Sequence, residues 1–332
     1  MVSATLTLLA ALVAGLGLEW VVLIWARRVR WLAQPTSRGS HLHPTPTLGG
    51  IAIVLLVCAS LLYFAMDGVM VAAYLGAALL VLALLGAWDD LRDLSAGVRL
   101  PVQFAAVLLV VSGTAGDSPG WVLALAVFAL LWLINLYNFM DGIDGFAAVQ
   151  GLLFCLGLWL SCDGIAGWIA DLIGWVSGAT LAFLAFNWPP AKIFMGNVGS
   201  GFMGLLLGGI GLQLGTTEQV PWAVLVILLS VFWVDASYTL VARFLTGQVV
   251  TQAHRQHLYQ IMAQRKGHRW TTLAFAGYGL VWLIPLSAVA AHWPDRWSGH
   301  ALLVLLAAAP VAVGCWQLGA GCRPAHIIAG ER

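Results

Sequence analysis

Charge is what this chain has least of. Asp, Glu, Lys and Arg make up 9% of its 332 residues, against 61% hydrophobic. A soluble globular domain draws about a quarter of its residues from those four types, so that class is excluded. No polar stretch is long enough to fold as a second domain, and residues 1–332 are expected to form one membrane-embedded unit. A net charge of +1 leaves no basic excess for a phosphodiester backbone, so no nucleic-acid partner is expected. The five cysteines show no C-x-x-C or paired spacing, and Cys58, Cys155 and Cys315 fall inside apolar runs. They read as packing residues rather than disulfides or metal ligands. The first apolar run has no basic segment before it; Arg27, Arg28 and Arg30 follow it. It reads as a retained span rather than a cleaved signal.

What the chain does have is apolar length. A helix needs roughly 20 residues to cross a bilayer, and such runs recur at about 4–26, 48–66, 69–87, 98–114, 119–136, 145–162, 165–187, 199–215, 219–242, 272–292 and 299–318. The fold class is therefore all-α, a polytopic membrane protein of about eleven spans, with the fourth, sixth and eighth the shortest. With the N-terminus outside and the C-terminus cytoplasmic, every Lys and Arg except Arg296 falls on an inner loop, as the positive-inside rule requires. The expected location is a membrane that the chain crosses many times.

That topology gathers the polar motifs on one face. The inner loops hold His43-Pro-Thr-Pro46, Trp88-Asp89-Asp90, Asn135 to Gly145, Lys192 to Ser200, and His254-Arg255-Gln256-His257. Ionisable groups near the bilayer centre cost ~2.5–3.5 kcal/mol on insertion scales, so acids and amides clustered in such a chain call for a metal, a phosphate or a proton path. Adjacent Asp89 and Asp90 stay ionised together only beside a cation or strong donors. Mg2+ held by one or two carboxylates and substrate phosphates is one solution; a solvated helix end with Arg92 as salt-bridge partner is another. Asp141 and Asp144 are flanked by Gly142 and Gly145, which permit close backbone approach. Calcium-loop spacing is missing, and an Asx cap at Asp144 leaves Asn138 and Asp141 unused. Gly196 to Gly201 opens the eighth span, where backbone N–H groups favour an anion and Lys192 adds positive charge. Gly199 and Gly201 serve either that anion or helix packing, as Gly204 and Gly208 do by small-xxx-small contact. His254, Arg255 and His257 suit a diphosphate or lipid headgroups. Asp235, inside the ninth span, needs a partner such as Arg243, and Glu19 needs one that the sequence does not name.

In order, His43-Pro-Thr-Pro46 with Gly49-Gly50, Trp88-Asp89-Asp90 with Arg99-Leu100, Asn135 to Gly145, Ala191 to Gly196, and Ala253-His254-Arg255-Gln256-His257 resemble the polyprenyl-phosphate N-acetylhexosamine-1-phosphate transferase family (glycosyltransferase family 4). The resemblance runs from about residue 38 to 265. The last motif is similar to that of the O-antigen and enterobacterial-antigen branches, and lacks the triple histidine of the muramyl-pentapeptide branch. What it implies is transfer of N-acetylhexosamine 1-phosphate from a UDP-N-acetylhexosamine to undecaprenyl phosphate, releasing UMP, with Mg2+ (or Mn2+) as cofactor, as the first membrane step of cell-surface polysaccharide synthesis. By that resemblance Asp89 and Asp90 engage the metal or accept the lipid phosphate's proton, and Asn138 and Asn197 are metal ligands. Asp141, Asp144 and Phe194 shape the nucleotide pocket, and His254, Arg255 and His257 hold the diphosphate or lipid phosphate. His43, Asn135 and Lys192 join them as substrate-binding residues. A homodimer is compatible with the family.

One position departs from the pattern. Where the family carries an aspartate after Phe-Met-Gly, this chain has Asn197. An amide oxygen coordinates Mg2+ without supplying charge. An engineered substitution, compensation by Asp89, Asp90 or Asp144, and lost activity all account for it. A transporter of a phosphorylated or acidic solute is the competing reading from another class, though no internal repeat of the kind many transporters carry is evident.

Overall fold

The computed structural model describes residues 2–33, 44–114, 118–165, 167–250, 252, 254–293 and 298–322. His43 lies outside them. Long Leu-, Ala- and Val-rich runs have one way to satisfy their backbone in lipid without a partner strand, which is to coil, and helices account for nearly everything described. They are α1 (Val2–Arg28), α2 (Gly50–Met66), α3 (Met70–Arg92), α4 (Ala96–Thr114), α5 (Gly120–Met140), α6 (Phe146–Ser161), α7 (Trp168–Asn187), α8 (Asn197–Thr216), α9 (Trp222–Leu228), α10 (Ser230–Leu245), α11 (Leu258–Lys266), α12 (His268–Tyr278), α13 (Ile284–His292) and α14 (Ser298–Leu318). A π-helical turn, Gly279–Leu283, joins α12 to α13. A two-residue antiparallel pairing, Leu32–Ala33 with Thr45–Pro46, is the sole sheet among the described residues.

All eleven apolar runs appear as helices. Eight are long and apolar enough to span a membrane, with His268–His292 counted as one. α9 and α10 form a ninth, bent by 66°. The two remaining runs are the 17-residue α2 and the 16-residue α6, so the short spans are the second and sixth rather than the fourth, sixth and eighth. The bend falls at Leu229, and Trp233 Nε1 donates to the Val226 carbonyl at 2.9 Å, satisfying an acceptor next to the break.

Small residues set how closely the helices approach. On α7, a Cβ at Gly174 or Gly178 would strike the α1 backbone at Ala4 and Leu8, and one at Gly15 of α1 would lie 2.6 Å from the Ala182 Cβ. The matched order makes α1 and α7 parallel. On α8, Gly204 and Gly208 receive α5 at Ile134 and Leu130 in reversed order, the small-xxx-small contact expected from the sequence. These two contacts, parallel between the first and seventh spans and antiparallel between the fifth and eighth, fit an alternating topology. α8 is the most enclosed span, its side chains buried almost throughout against α3 and α5. The five cysteines are all free.

Candidate active site

The ends of α3, α5 and α7 and the starts of α2, α8, α11 and α12 meet at one end of the bundle. There the described residues form two adjoining cavities. The first is a polar cleft of about 280 Å³ whose walls include Asp90, Asn138, Asp141, Asp144, Phe194 and Asn197. The second is a groove of about 950 Å³ between α3, α4, α5 and α10, walled mainly by apolar side chains such as Leu82, Leu131, Trp132 and Phe244. Asn138, Gly142, Asn197 and Gln260 line both.

Adjacent Asp89 and Asp90 point apart. On the last turn of α3, Asp90 accepts the backbone N–H groups of Asn197 and Val198 at 2.9 and 3.1 Å, capping α8. The anion drawn to that helix start is therefore the protein's own carboxylate. Gly196, at φ 74°, gives the chain the left-handed turn that aims those donors. Gly199 packs on Gly50 and Met195, which decides the packing reading for it. Asp89 turns toward α4 and lines the groove; it accepts Leu94 N–H at 2.7 Å and pairs with Arg99 at 3.1 Å. Its basic partner is thus Arg99 and not Arg92.

The Asn135–Gly145 segment distributes its groups by helical spacing. Asn135 faces the groove, donating to Gln103 Oε1 at 3.2 Å, while Asn138 sits between the cavities. The Asn138 side-chain amide donates to Asn197 Oδ1 at 2.7 Å and to Ser200 Oγ at 2.8 Å. α5 then ends, and Asp141 enters the cleft. Burial first, then the facing charges of Asp90 and Asp144, raise its pKa well above the carboxylate range. Asp144 does not cap α6; the cap position is Gly145, whose N–H is held by the buried Asn187 side chain at 2.8 Å. Asp144 instead accepts Ala191 N–H at 3.1 Å and faces His268 Nδ1 at 3.2 Å.

On the groove side, Asp235 is fully buried and pairs with the start of α11 rather than with Arg243. It accepts Leu258 and Tyr259 N–H at 2.8 and 3.0 Å and lies 3.5 Å from His257 Nδ1. Arg243 binds the following loop through Gln248, Gln256 and the Val249 carbonyl. The His254 and His257 rings stand 4.8 Å apart, and both line the groove. Burial, then His257 and Arg243, hold His254 down to about 3 against the pull of Asp235. His254 is therefore neutral at physiological pH and offers hydrogen bonds, not charge. Tyr259 donates to the Phe139 carbonyl at 2.7 Å, tying α11 to the cleft segment.

Asp235→Leu is expected to leave the Leu258 and Tyr259 N–H groups unpaired, at about 1–3 kcal/mol each. Faster amide exchange over residues 256–262 would report the release of α11. Unchanged exchange there would show that Asp235 does not hold it.

A model for glycosyl transferase family 4 matches residues 71–215, from α3 to α8. The chain is 29% identical over 295 residues to a probable undecaprenyl-phosphate N-acetylglucosaminyl 1-phosphate transferase of Bacillus subtilis, covering 82% of this chain and 80% of that one. It is 27% identical over 357 aligned positions to a decaprenyl-phosphate N-acetylglucosaminephosphotransferase of Mycolicibacterium smegmatis, at 92% and 86% coverage. A phospho-N-acetylmuramoyl-pentapeptide-transferase of Thermosynechococcus vestitus is 34% identical over 234 residues, 61% of each chain. Along most of its length the chain is similar to polyprenyl-phosphate N-acetylglucosamine-1-phosphate transferases, and from α3 to α8 it matches glycosyl transferase family 4. The family match and these relatives together indicate a phosphotransferase, which sets aside the transporter reading.

Of the site residues expected from the transferase family pattern, Asp90, Asn138, Asp141, Asp144, Phe194 and Asn197 come together in the cleft. Asp89, Asn135, His254 and His257 line the groove. Lys192 is exposed and, like Arg255, lines neither cavity. Sequence reasoning did not single out Thr47, Asn187, Ser200, Gln260 or His268, all of which line the cleft. His268 carried a usable signal: it follows Gly267 at the start of the tenth span, on the motif-bearing face. Placing that span's start at 272 left it in a loop, whereas α12 begins at His268 itself.

Proposed function

We propose that this phosphotransferase moves N-acetylhexosamine 1-phosphate from a UDP-sugar to undecaprenyl phosphate at the cytoplasmic face of a bacterial inner membrane. The single observation that carries the reading is the junction of the two cavities at Asn138, Gly142, Asn197 and Gln260. One cavity suits a polar, charged donor and the other a hydrocarbon chain with an anionic head. The activities of these relatives support N-acetylglucosamine 1-phosphate as the transferred group and a polyprenyl phosphate as acceptor. The A-H-R-x-H form of the last motif favours a role in O-antigen or a related surface polysaccharide.

In this reading the polyprenyl chain lies in the apolar groove, with its phosphate toward Arg99, His254 and His257. A phosphate oxygen forms a bond to the donor's β-phosphorus, the bond from that phosphorus to the bridging oxygen breaks, and UMP leaves with the electron pair. Any proton on the attacking phosphate passes to Asp90 or to water. Catalysis of this kind rests on positioning and charge neutralisation.

The cleft's donor set fits a divalent cation. Asp90 and Asp141 line the cleft with the amides of Asn138 and Asn197, and a cation would offset the burial and facing charges that raise Asp141. Among the described residues no three His, Cys, Asp or Glu side chains form a ready ligand group. Asp90 and Asp141, with the oxygens of Asn138 and Asn197, would then hold Mg2+ together with donor phosphates, the sharing usual for this ion. When bound, Mg2+ (or Mn2+) neutralises diphosphate charge.

Purified protein with undecaprenyl phosphate and a panel of UDP-N-acetylhexosamines should release UMP in Mg2+ and none in EDTA. Release that is indifferent to both the lipid and the metal would refute the reading.

A further inference from the structure

The cleft as a nucleotide-diphosphate site has an electrostatic problem. Its walls carry the carboxylates of Asp90, Asp141 and Asp144, and the cation expected from the sequence, Lys192, stands exposed outside it. Among the described lining residues, His268 alone has a side chain able to carry positive charge.

Its geometry is that of a held group. Nδ1 of His268 faces Asp144 Oδ1 at 3.2 Å, and the other Asp144 oxygen is fixed by Ala191 N–H at 3.1 Å. One turn along α12, Thr272 donates to the Asp144 carbonyl at 3.0 Å, locking that helix to the 141–145 segment. The Asp144 backbone N–H also points at Nδ1, at 3.4 Å, so Asp144 orients the ring through that nitrogen and leaves Nε2 as the one available to a ligand. The side chain is about one-fifth exposed, and that exposure opens on the cleft. Asp144, with both oxygens engaged by protein, acts on the ligand through His268.

Resting on the reading of the cleft as the nucleotide-sugar site, we propose that His268 is a substrate-binding residue whose Nε2 contacts a phosphate oxygen of the nucleotide, with Asp144 as its positioning residue. It supplies from α12 the donor that Lys192 does not supply from the loop before α8.

The test is binding of UDP, UMP and uridine to the detergent-solubilised full chain in Mg2+, without acceptor lipid, so that turnover does not enter. His268→Ala should weaken UDP and UMP by about 10-fold or more, the loss expected for one hydrogen bond to a charged group, and leave uridine unchanged. His268→Gln, which keeps a donor near the Nε2 position, should recover part of that loss and guards against a folding defect in the alanine variant. Equal UDP affinity in wild type and both variants would overturn the assignment to His268. Uridine weakened as much as UDP would overturn the phosphate contact. Wild type failing to bind UDP in Mg2+ would instead overturn the reading of the cleft on which the assignment rests.

Discussion

Asn197→Asp is expected to raise Mg2+-dependent transfer by about 10–100-fold, the span by which even outer-shell changes alter metal affinity or activity. Asn197 is the first residue of α8 and stands where both cavities meet. Its backbone N–H, not its side chain, binds Asp90, so the substitution leaves the cap intact. Its Oδ1 already accepts from Asn138 at 2.7 Å, and a carboxylate keeps that bond while adding charge. A fourth acid beside Asp90, Asp141 and Asp144 also increases repulsion. The variant should therefore melt lower than the parent in EDTA and gain more from added Mg2+, because an ion that binds the folded state stabilises it by mass action. Matched membranes assayed for UMP release, with melting curves with and without Mg2+, check both halves. Equal activity and equal Mg2+ response would remove position 197 from the metal site.

The second large effect is at Asp90. Asp90→Ala is expected to lower transfer by about 100-fold or more, the upper end of the same scale, but it also removes the α8 cap, a change worth about 1 kcal/mol. Asp90→Asn separates the two roles. The amide oxygen still accepts from Asn197 or Val198 N–H, which preserves most of the helix start, while the charge facing the cleft is gone. Comparable loss of activity in both variants, with near-parental stability for the asparagine, would assign the loss to charge. Substantial activity in either would move the chemistry to Asp141 and Asp144.

Much of the fold was legible because lipid leaves a chain few choices. Every apolar run of sufficient length became a helix or a bent helix pair. Gly204 and Gly208 announced a close helix contact by spacing alone, though not that α5 makes it, and the motif-bearing loops share one end of the bundle. The runs misjudged most in length were those of α3, α5 and α12, whose helices continue through the polar turns carrying Asp89, Asn138 and His268, where hydropathy alone ends the run. The site was legible as a set of residue types and only partly as a set of partners. Neighbours in sequence, Asp89 and Asp90, went to different cavities because successive residues on a helix point about 100° apart. Arg243 looked the natural partner of Asp235, yet backbone N–H groups of α11, distant in sequence, took the carboxylate. Helix starts carry unpaired donors that compete with any cation for a buried acid.

A polytopic helical membrane protein with its polar motifs gathered at one end was readable from the chain alone, because hydropathy, charge placement and motif order are properties read in one dimension. Only the tertiary structure decided which polar groups confront one another. It separated a polar cleft from an apolar groove, turned Asp90 into the anion at the start of α8, left Lys192 outside and brought in His268. Such pairings depend on how far helices approach and how they are rotated, and both are set by side-chain packing between spans distant in sequence.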